Sequence, residues 1–426
     1  STDLAGHDME SVLESFKEAE SDRPNVFIAY TVKGRGMPFA GHKDNHAGLM
    51  TEDQMEAFKD NLNIPDGSEW SKFAGLKVNE SKLKVFINSS PYNKNKVRDL
   101  NAPKINLPNE FPLPKGELIS TQDAFGKILN EIGRTKTEFS NSLITASPDV
   151  SVSTNLGAWI NHRGLYDRTG IPDPFKEENV LSPLKWSMDF NGQHIELGIA
   201  ENNLFLFLAA AGLSSSLFGS RLLPIGTLYD PFIMRGLDAL NYACYQDSRF
   251  MLVATPSGIT LAPEGGAHQS ISTPLIGMGQ DNLASFEPAF VDELSVLMKW
   301  GFWFMQDDKG SSIYLRLSTK PIKQPDREIN EIESEIIAGA YWYCKPKYNS
   351  PIIIVYAGPI VTEEQKSLEI IREDIPEIGV LSITSTDMLY KDWANNSINS
   401  HISKLLSKVS KDCIIITVID GYPASL

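Results

Sequence analysis

The 426-residue chain is short of cysteine, of basic residues and of long apolar runs, and each shortage excludes something. Cys244, Cys344 and Cys413 are its only cysteines, an odd number at spacings that match no metal motif. They read as free thiols of a protein in a reducing cytosol. Lysine and arginine number 39 against 54 aspartates and glutamates, a formal charge of −15. That balance speaks against nucleic acid or an anionic membrane as a partner, because both need a basic face. The longest apolar run is too short to span a bilayer, and the polar, acidic first residues are unlike a signal peptide. What remains is ordinary globular composition with length for two or three domains.

The most informative stretch runs from His194 to Ser216, HIELGIAENNLFLFLAAAGLSSS. Glu201 stands just before an apolar run, Leu204 to Leu213, which reads as a helix buried on all sides. Such a carboxylate is either a favourable charge at the positive end of the helix dipole or a catalytic acid kept protonatable by desolvation. Spacing does not choose between them. Next comes LLPIGTLYDPFIMRGLDAL, where Pro224 and Gly226 punctuate a strand-to-helix passage. Tyr229 and Phe232, three apart, can face a common pocket there. MLVATPSGITLAPEGGAHQS then begins like a strand and ends in a Gly-rich loop presenting His268.

Near the start, Asp8 to Glu20 reads as an amphipathic helix with Met9, Val12, Leu13 and Phe16 on one face, followed by a strand, Val26 to Thr31. The loop beyond it carries Gly34, Gly36 and Gly41 together with His42, Lys43 and His46. It is either a solvated surface loop or one that closes over an anionic ligand. Two histidines four apart with no third ligand nearby make a poor metal site. Asn-, Pro-, Lys- and Ser-rich sequence then reads as an ordered linker. Ser120 or Thr121 caps the next helix. A strand, Ser142 to Ala146, leads to Asp149, which either caps a turn or lies at the carboxyl edge of a parallel sheet, where such sheets bind ligands. Arg327 to Glu335 reads as an acidic linker into a last α/β piece. The chain closes on CIIITVIDGYPASL, a buried-type strand with nothing after it to cover it. Both ends read as cut, so a fragment of a longer polypeptide is expected.

GIAEN, TLYDPF and EGGAHQS, in that order, resemble the pyrimidine-binding domain of transketolase-type thiamine-diphosphate enzymes. KGRGMPFAGHKDNH is similar to the end of the diphosphate-binding domain in the same group. HKDNHAGL is closer to the homodimeric pyruvate dehydrogenase first component than to the His-Gly-Val-His-Gly of transketolases. Ala200 and Asn202 stand where transketolases have arginine and histidine, and LSTKP lacks their sugar-phosphate arginine, with Arg316 earlier and Lys320 after.

The resemblance implies an α/β protein with the parallel-sheet thiamine-diphosphate-binding fold, plus part of a transketolase-type C-terminal α/β domain. It divides the chain into the tail of a diphosphate-binding domain (1–60), a linker (61–117), a pyrimidine-binding domain (118–325) and a truncated C-terminal domain (336–426). It implies thiamine diphosphate and magnesium as cofactors. The metal-holding Gly-Asp-Gly…Asn motif is expected upstream of Ser1, so no metal ligand is named here. Glu201 is implied as the acid on the aminopyrimidine, Phe232 with Tyr229 as its stacking platform, and Asp149 as part of the cofactor pocket. His268 is implied to meet the substrate. His46, with His42 as second choice, is implied as an active-site histidine from the other domain. The implied activity is oxidative decarboxylation of a 2-oxoacid, pyruvate in the first place, with acyl transfer to a lipoyl group on a dihydrolipoyl acyltransferase, by a cytoplasmic homodimer. The alternatives are a transketolase moving a two-carbon ketol unit between sugar phosphates, and a non-catalytic remnant of the fold that binds a partner.

Overall fold

Short strands of buried aliphatic residues alternating with helices are the pattern of a parallel sheet covered on both faces. A computed structural model describes residues 4–19, 22–94, 100–169, 178, 187–347 and 350–426. They fall into two units, 1–97 and 98–426.

The first unit is lightly built. Its helix Met9–Lys17 starts at Asp8, whose carboxylate accepts the Glu10 N–H at 3.1 Å. The expected strand Val26 to Thr31 shrinks to Ala29–Tyr30, paired in parallel with Leu4–Ala5. The reason is a lack of neighbours: one two-residue partner offers almost no ladder, and Val26, Ile28 and Tyr30 stay exposed. Further helices are Glu52–Asn61, Glu80–Ser89 and the short Pro91–Lys94.

The second unit holds an eight-stranded, all-parallel sheet. In chain order its strands are β1 (Leu143–Ser147), β2 (Leu165–Tyr166), β3 (Met188–Asp189), β4 (His194–Glu196), β5 (Leu223–Leu228), β6 (Met251–Ala254), β7 (Leu283–Phe286) and β8 (Ser312–Arg316). Across the sheet they run β7-β8-β6-β5-β1-β4-β2-β3. The chain therefore leaves β1 to one side as far as β4 and returns to its other side at β5. That reversal is the switch point where open α/β sheets leave a crevice at their carboxyl ends. Helices α1 (Thr121–Gly133, capped by Ser120), α2 (Glu201–Gly212), α3 (Leu237–Tyr245) and α4 (Val291–Phe304) cover the sheet. A four-stranded sheet follows, made of β9 (Ala340–Cys344), β10 (Ile352–Ala357), β11 (Gly379–Ile383) and β12 (Ile414–Val418). Its order is β9-β11-β10-β12, with only β9 antiparallel.

Three expectations need correcting. Pro224 and Gly226 do not end a strand; both lie inside fully buried β5. Gly226 is there because α2 packs so close that a Cβ would sit 2.6 Å from Leu208 Cδ1. The helix α2 is not buried on all sides. Leu204, Phe205, Leu208 and Ala211 face β5 and α3, but Leu206 points outward and is 54% exposed, because a helix lying on a sheet covers only one face. Ile414, Ile415 and Ile416 of β12, at the edge of its sheet, are exposed, in line with a buried-type strand that nothing covers. Arg327 is no linker residue. Its Nε and Nη2 donate to Asp292 at 2.7 and 2.8 Å, and its Nη1 to the Tyr341 hydroxyl at 2.7 Å. Tyr341 in turn donates to buried Glu293, whose carboxyl burial pushes up. This cluster fastens α4 to β9.

A second buried cluster lies at the carboxyl edge of the large sheet. Arg316, at the end of β8, donates from Nε to Asp230 at 3.2 Å and from Nη1 to Glu287 at 2.6 Å. Asp230 also accepts from Thr273 Oγ1 at 2.6 Å and from the Tyr314 hydroxyl at 3.0 Å. Burial pushes the Glu287 carboxyl up, against the opposing pull of Arg316. Removing one member of a buried charge set strands the others, at a cost of about 3–5 kcal/mol. Arg316→Met should therefore lower stability by that order in urea unfolding followed by circular dichroism. An unchanged midpoint would show that the cluster adds nothing to the fold.

Candidate functional site

The four central strands, β6, β5, β1 and β4, each deliver a predicted residue beyond their carboxyl ends. From β5 the chain enters a short 3-10 helix, Asp230–Gly236, held by the buried Asp230. Tyr229 and Phe232 flank that anchor, and their rings stack at 5.8 Å with an interplanar angle of 18°. After β6, a loop turning through Gly265 brings the His268 ring to 5.2 Å from Phe232 and 6.2 Å from Tyr229. The Nδ1 of His268 is buried and has no partner, while Nε2 lies 3.9 Å from Glu264. A buried ring nitrogen without a partner is costly, and such groups collect where ligands bind.

Glu201 is the first residue of α2 and only 7% exposed. It bonds to Arg235, whose guanidinium also lies over the Phe232 ring, 3.8 Å from its centroid. Close packing makes this possible. A Cβ on Gly236 would stand 2.3 Å from Phe205 Cδ2, so only glycine lets the 3-10 helix approach α2 this far. Glu201, Arg235, Phe232, Tyr229 and His268 thus form one chain of contacts. Arg235 was not among the expected residues, although it lies three positions after Phe232, a spacing that puts both on one side of a turn.

Asp149 follows β1 with a left-handed φ of 62°, and its N–H donates to Glu196 Oε1 at 2.8 Å. Glu196, at the end of β4, is a second residue that pattern did not single out. Burial works against its carboxylate, yet the nearby His194 ring, 3.7 Å away, and hydrogen bonds from the N–H groups of Asp149 and Gly198 hold it below the usual range. Asp149 is thereby fixed as a backbone turn across the β1–β4 crevice, and its own side chain is exposed.

In the first unit, Gly34, Gly36 and Gly41 all have positive φ, which shapes the loop carrying the two histidines. His42 caps the short helix Lys43–His46 by accepting the Asp44 N–H at 3.2 Å. The Nδ1 of His46 lies 3.0 Å from Lys33 Nζ. Among the described residues no group of three or more His, Cys, Asp or Glu could hold a metal ion. None of their helices is long and apolar enough to cross a membrane.

The sequence is similar to pyruvate dehydrogenase E1 components. It is 24% identical to that of Cupriavidus necator over 392 residues, covering 87% of this chain and 43% of the relative. It is 24% identical to that of Pseudomonas aeruginosa over 416 residues, covering 91% and 46%. The chain thus spans less than half the length of these relatives. The fold matches transketolase from Campylobacter jejuni (TM-score 0.66, 18% identity, 98% of this chain and 60% of that one) and a transketolase variant from Pichia stipitis (0.66, 16%, 98% and 59%). Residues 109–321, half of the chain, match the family described as the pyruvate dehydrogenase E1 component middle domain, and the protein belongs to that transketolase-like family.

Proposed function

We propose that residues 98–426 supply the pyrimidine side of a thiamine-diphosphate site in the first component of a 2-oxoacid dehydrogenase. The observation that carries this reading is the continuous contact of a buried carboxylate, a stacked aromatic pair and a histidine at the switch point of the sheet. These residues suit the cofactor's aminopyrimidine. The platform and the carboxylate already hold the Arg235 guanidinium, a planar, delocalised hydrogen-bond donor, and an aminopyrimidine is another. No residue of this chain is assigned to magnesium.

Bound there, thiamine diphosphate would supply a nucleophilic thiazolium carbon and an electron sink for the decarboxylation of a 2-oxoacid. The chain's own groups have simpler tasks. Glu201 hydrogen-bonds a ring nitrogen and holds a proton there. Phe232 and Tyr229 fix the ring plane, which stacking favours by about 1 kcal/mol beyond burial. His268 presents a ring nitrogen to the substrate oxygen. Asp149 belongs to the same assignment, with His46 or His42 as its active-site histidine from the diphosphate-binding side, as does the division into 1–60, 61–117, 118–325 and 336–426 expected from the sequence.

Pyruvate with acyl transfer to a partner's lipoyl group is favoured over sugar phosphates. The two cations closest in sequence to the transketolase phosphate arginine are both committed elsewhere. Arg316 is buried against Asp230 and Glu287, and Lys320 Nζ bonds Glu363 at 2.7 and 2.6 Å. Exposed Leu206, Leu217 and Phe218 on and just after α2 suit burial against a second subunit.

Two substitutions in the full-length enzyme test the assignment. Glu201→Gln should slow turnover by about 10²–10⁴-fold, the usual range for general acid–base catalysis, with the melting temperature nearly unchanged. Wild-type turnover in that variant would remove Glu201 from the chemistry. His268→Ala should lower kcat while cofactor affinity, read by calorimetry, stays within about twofold, a change under 0.5 kcal/mol. A large loss of cofactor affinity with normal kcat at saturation would move His268 to the cofactor.

A further inference from the structure

His268 stands on a loop, and its own side chain does little to fix where the ring points. Nδ1 has no partner, Nε2 lies 3.9 Å from Glu264, and the remaining contacts are ring against ring with Phe232 and Tyr229. The backbone of the loop must therefore set the position of the imidazole. That backbone runs from Gly258 through two 3-10 segments, Gly258–Glu264 and Gly266–His268, and on to Ile271. Its internal bonds are local. The Gly265 N–H donates to the Ala262 carbonyl at 3.2 Å, and the His268 N–H to that of Gly265 at 3.1 Å. Turns of this kind have poor hydrogen-bond geometry and hold little by themselves.

Both ends of the loop are tied to the few residues just after β12. At its start, the Ile259 N–H donates to Asp420 Oδ2 at 2.7 Å. At its end, the Tyr422 N–H donates to the Ile271 carbonyl at 2.6 Å. The first tie is built into the sequence. Gly258 has a φ of 56°, and a Cβ there would stand 2.1 Å from Asp420 Oδ2, so only glycine lets the carboxylate reach the next N–H. The same Cβ would stand 2.8 Å from Arg316 Nη2, which is buried and has no partner among the described residues. A buried cation thus lies near the carboxylate as well, and an N–H bonded to a carboxylate is the stronger, charge-assisted kind of tie.

We propose that Asp420 is a positioning residue: with the Tyr422 N–H it clamps the loop at both ends and so sets where His268 stands against the aromatic pair. This rests on the reading of His268 as the group that meets the substrate. One tie fixes the loop where it leaves β6 and the other fixes its return, so the histidine between them has little room to drift. A shift of about 1 Å at a reacting group is enough to cost turnover.

Asp420→Ala removes the acceptor, whereas Asp420→Asn keeps an oxygen for the Ile259 N–H. In the full-length enzyme at saturating thiamine diphosphate and magnesium, Asp420→Ala should lower kcat about tenfold. Its cofactor affinity should stay within about twofold of wild type. Asp420→Asn should recover turnover to within about twofold, because the hydrogen bond survives. A tie that acts through His268 matters only while His268 is present, so adding Asp420→Ala to His268→Ala should cost almost nothing more. Normal kcat in Asp420→Ala, an Asp420→Asn as slow as the alanine variant, or a further tenfold loss in the double variant would overturn the proposal and leave the cofactor reading standing. Wild-type turnover in His268→Ala would overturn the reading of His268 and the proposal together. Hydrogen exchange read by mass spectrometry tests the clamp without activity. In Asp420→Ala, peptides covering 258–272 should exchange about tenfold faster while β5 and β6 stay as protected as in wild type. Unchanged exchange in that loop, or faster exchange throughout the chain, would overturn the clamp.

Discussion

The buried charge set around Arg316 is the constraint on which the rest of the site depends. Asp230 sits between Tyr229 and Phe232 in the chain and is fully buried, so its bonds to Arg316, Tyr314 and Thr273 fix where both rings point. The other arm of Arg316 reaches Glu287, whose N–H donates to the Thr384 carbonyl at 2.8 Å just beyond β11. One guanidinium therefore ties the aromatic platform to the end of β8, to the turn after β7 and to the four-stranded sheet. Two carboxylates around one arginine is an expensive arrangement in a dry place, since each charge must be paired with good geometry. An apolar core could replace it without loss of stability, but it would not hold the platform at a defined angle. Here the return for the desolvation cost is a fixed position for the platform.

The sheet topology adds the second constraint. Parallel strands place all their carboxyl ends on one side, so residues far apart in sequence meet if each directly follows a strand. That is why the motifs at Glu201, Tyr229 to Phe232 and His268 were legible from local sequence. Glu201 and the Tyr229–Phe232 pair come soon after their strands and His268 at the end of a longer loop after β6, and the residue types announce a polar group among glycines and aromatics. The α/β class was equally legible, because buried aliphatic strands and amphipathic helices alternate along the chain.

What was not legible depends on packing rather than pattern. An apolar run such as Leu204 to Leu213 states that burial is available without stating on how many sides, and Leu206 remained outside. Gly226 looked like punctuation because glycine often is; in fact it makes room for Leu208. Arg235 is the clearest case. Its sequence neighbours show a turn, yet its bond to Glu201 exists only because Gly236 lets the 3-10 helix close on Phe205. Long-range contacts of this kind leave no periodic trace.

Arg235 and Arg316 then show how one residue type serves opposite ends in a single crevice. Arg316 is 3% exposed and bonded to two carboxylates, so it cannot move without breaking the cluster beneath the platform. Arg235 has one carboxylate, one ring and a largely open flank, so few contacts hold it. The buried arginine sets the geometry of the platform, and the exposed one is held by fewer contacts. The difference follows from burial, since the Coulomb attraction that locks Arg316 is weakened by water around Arg235.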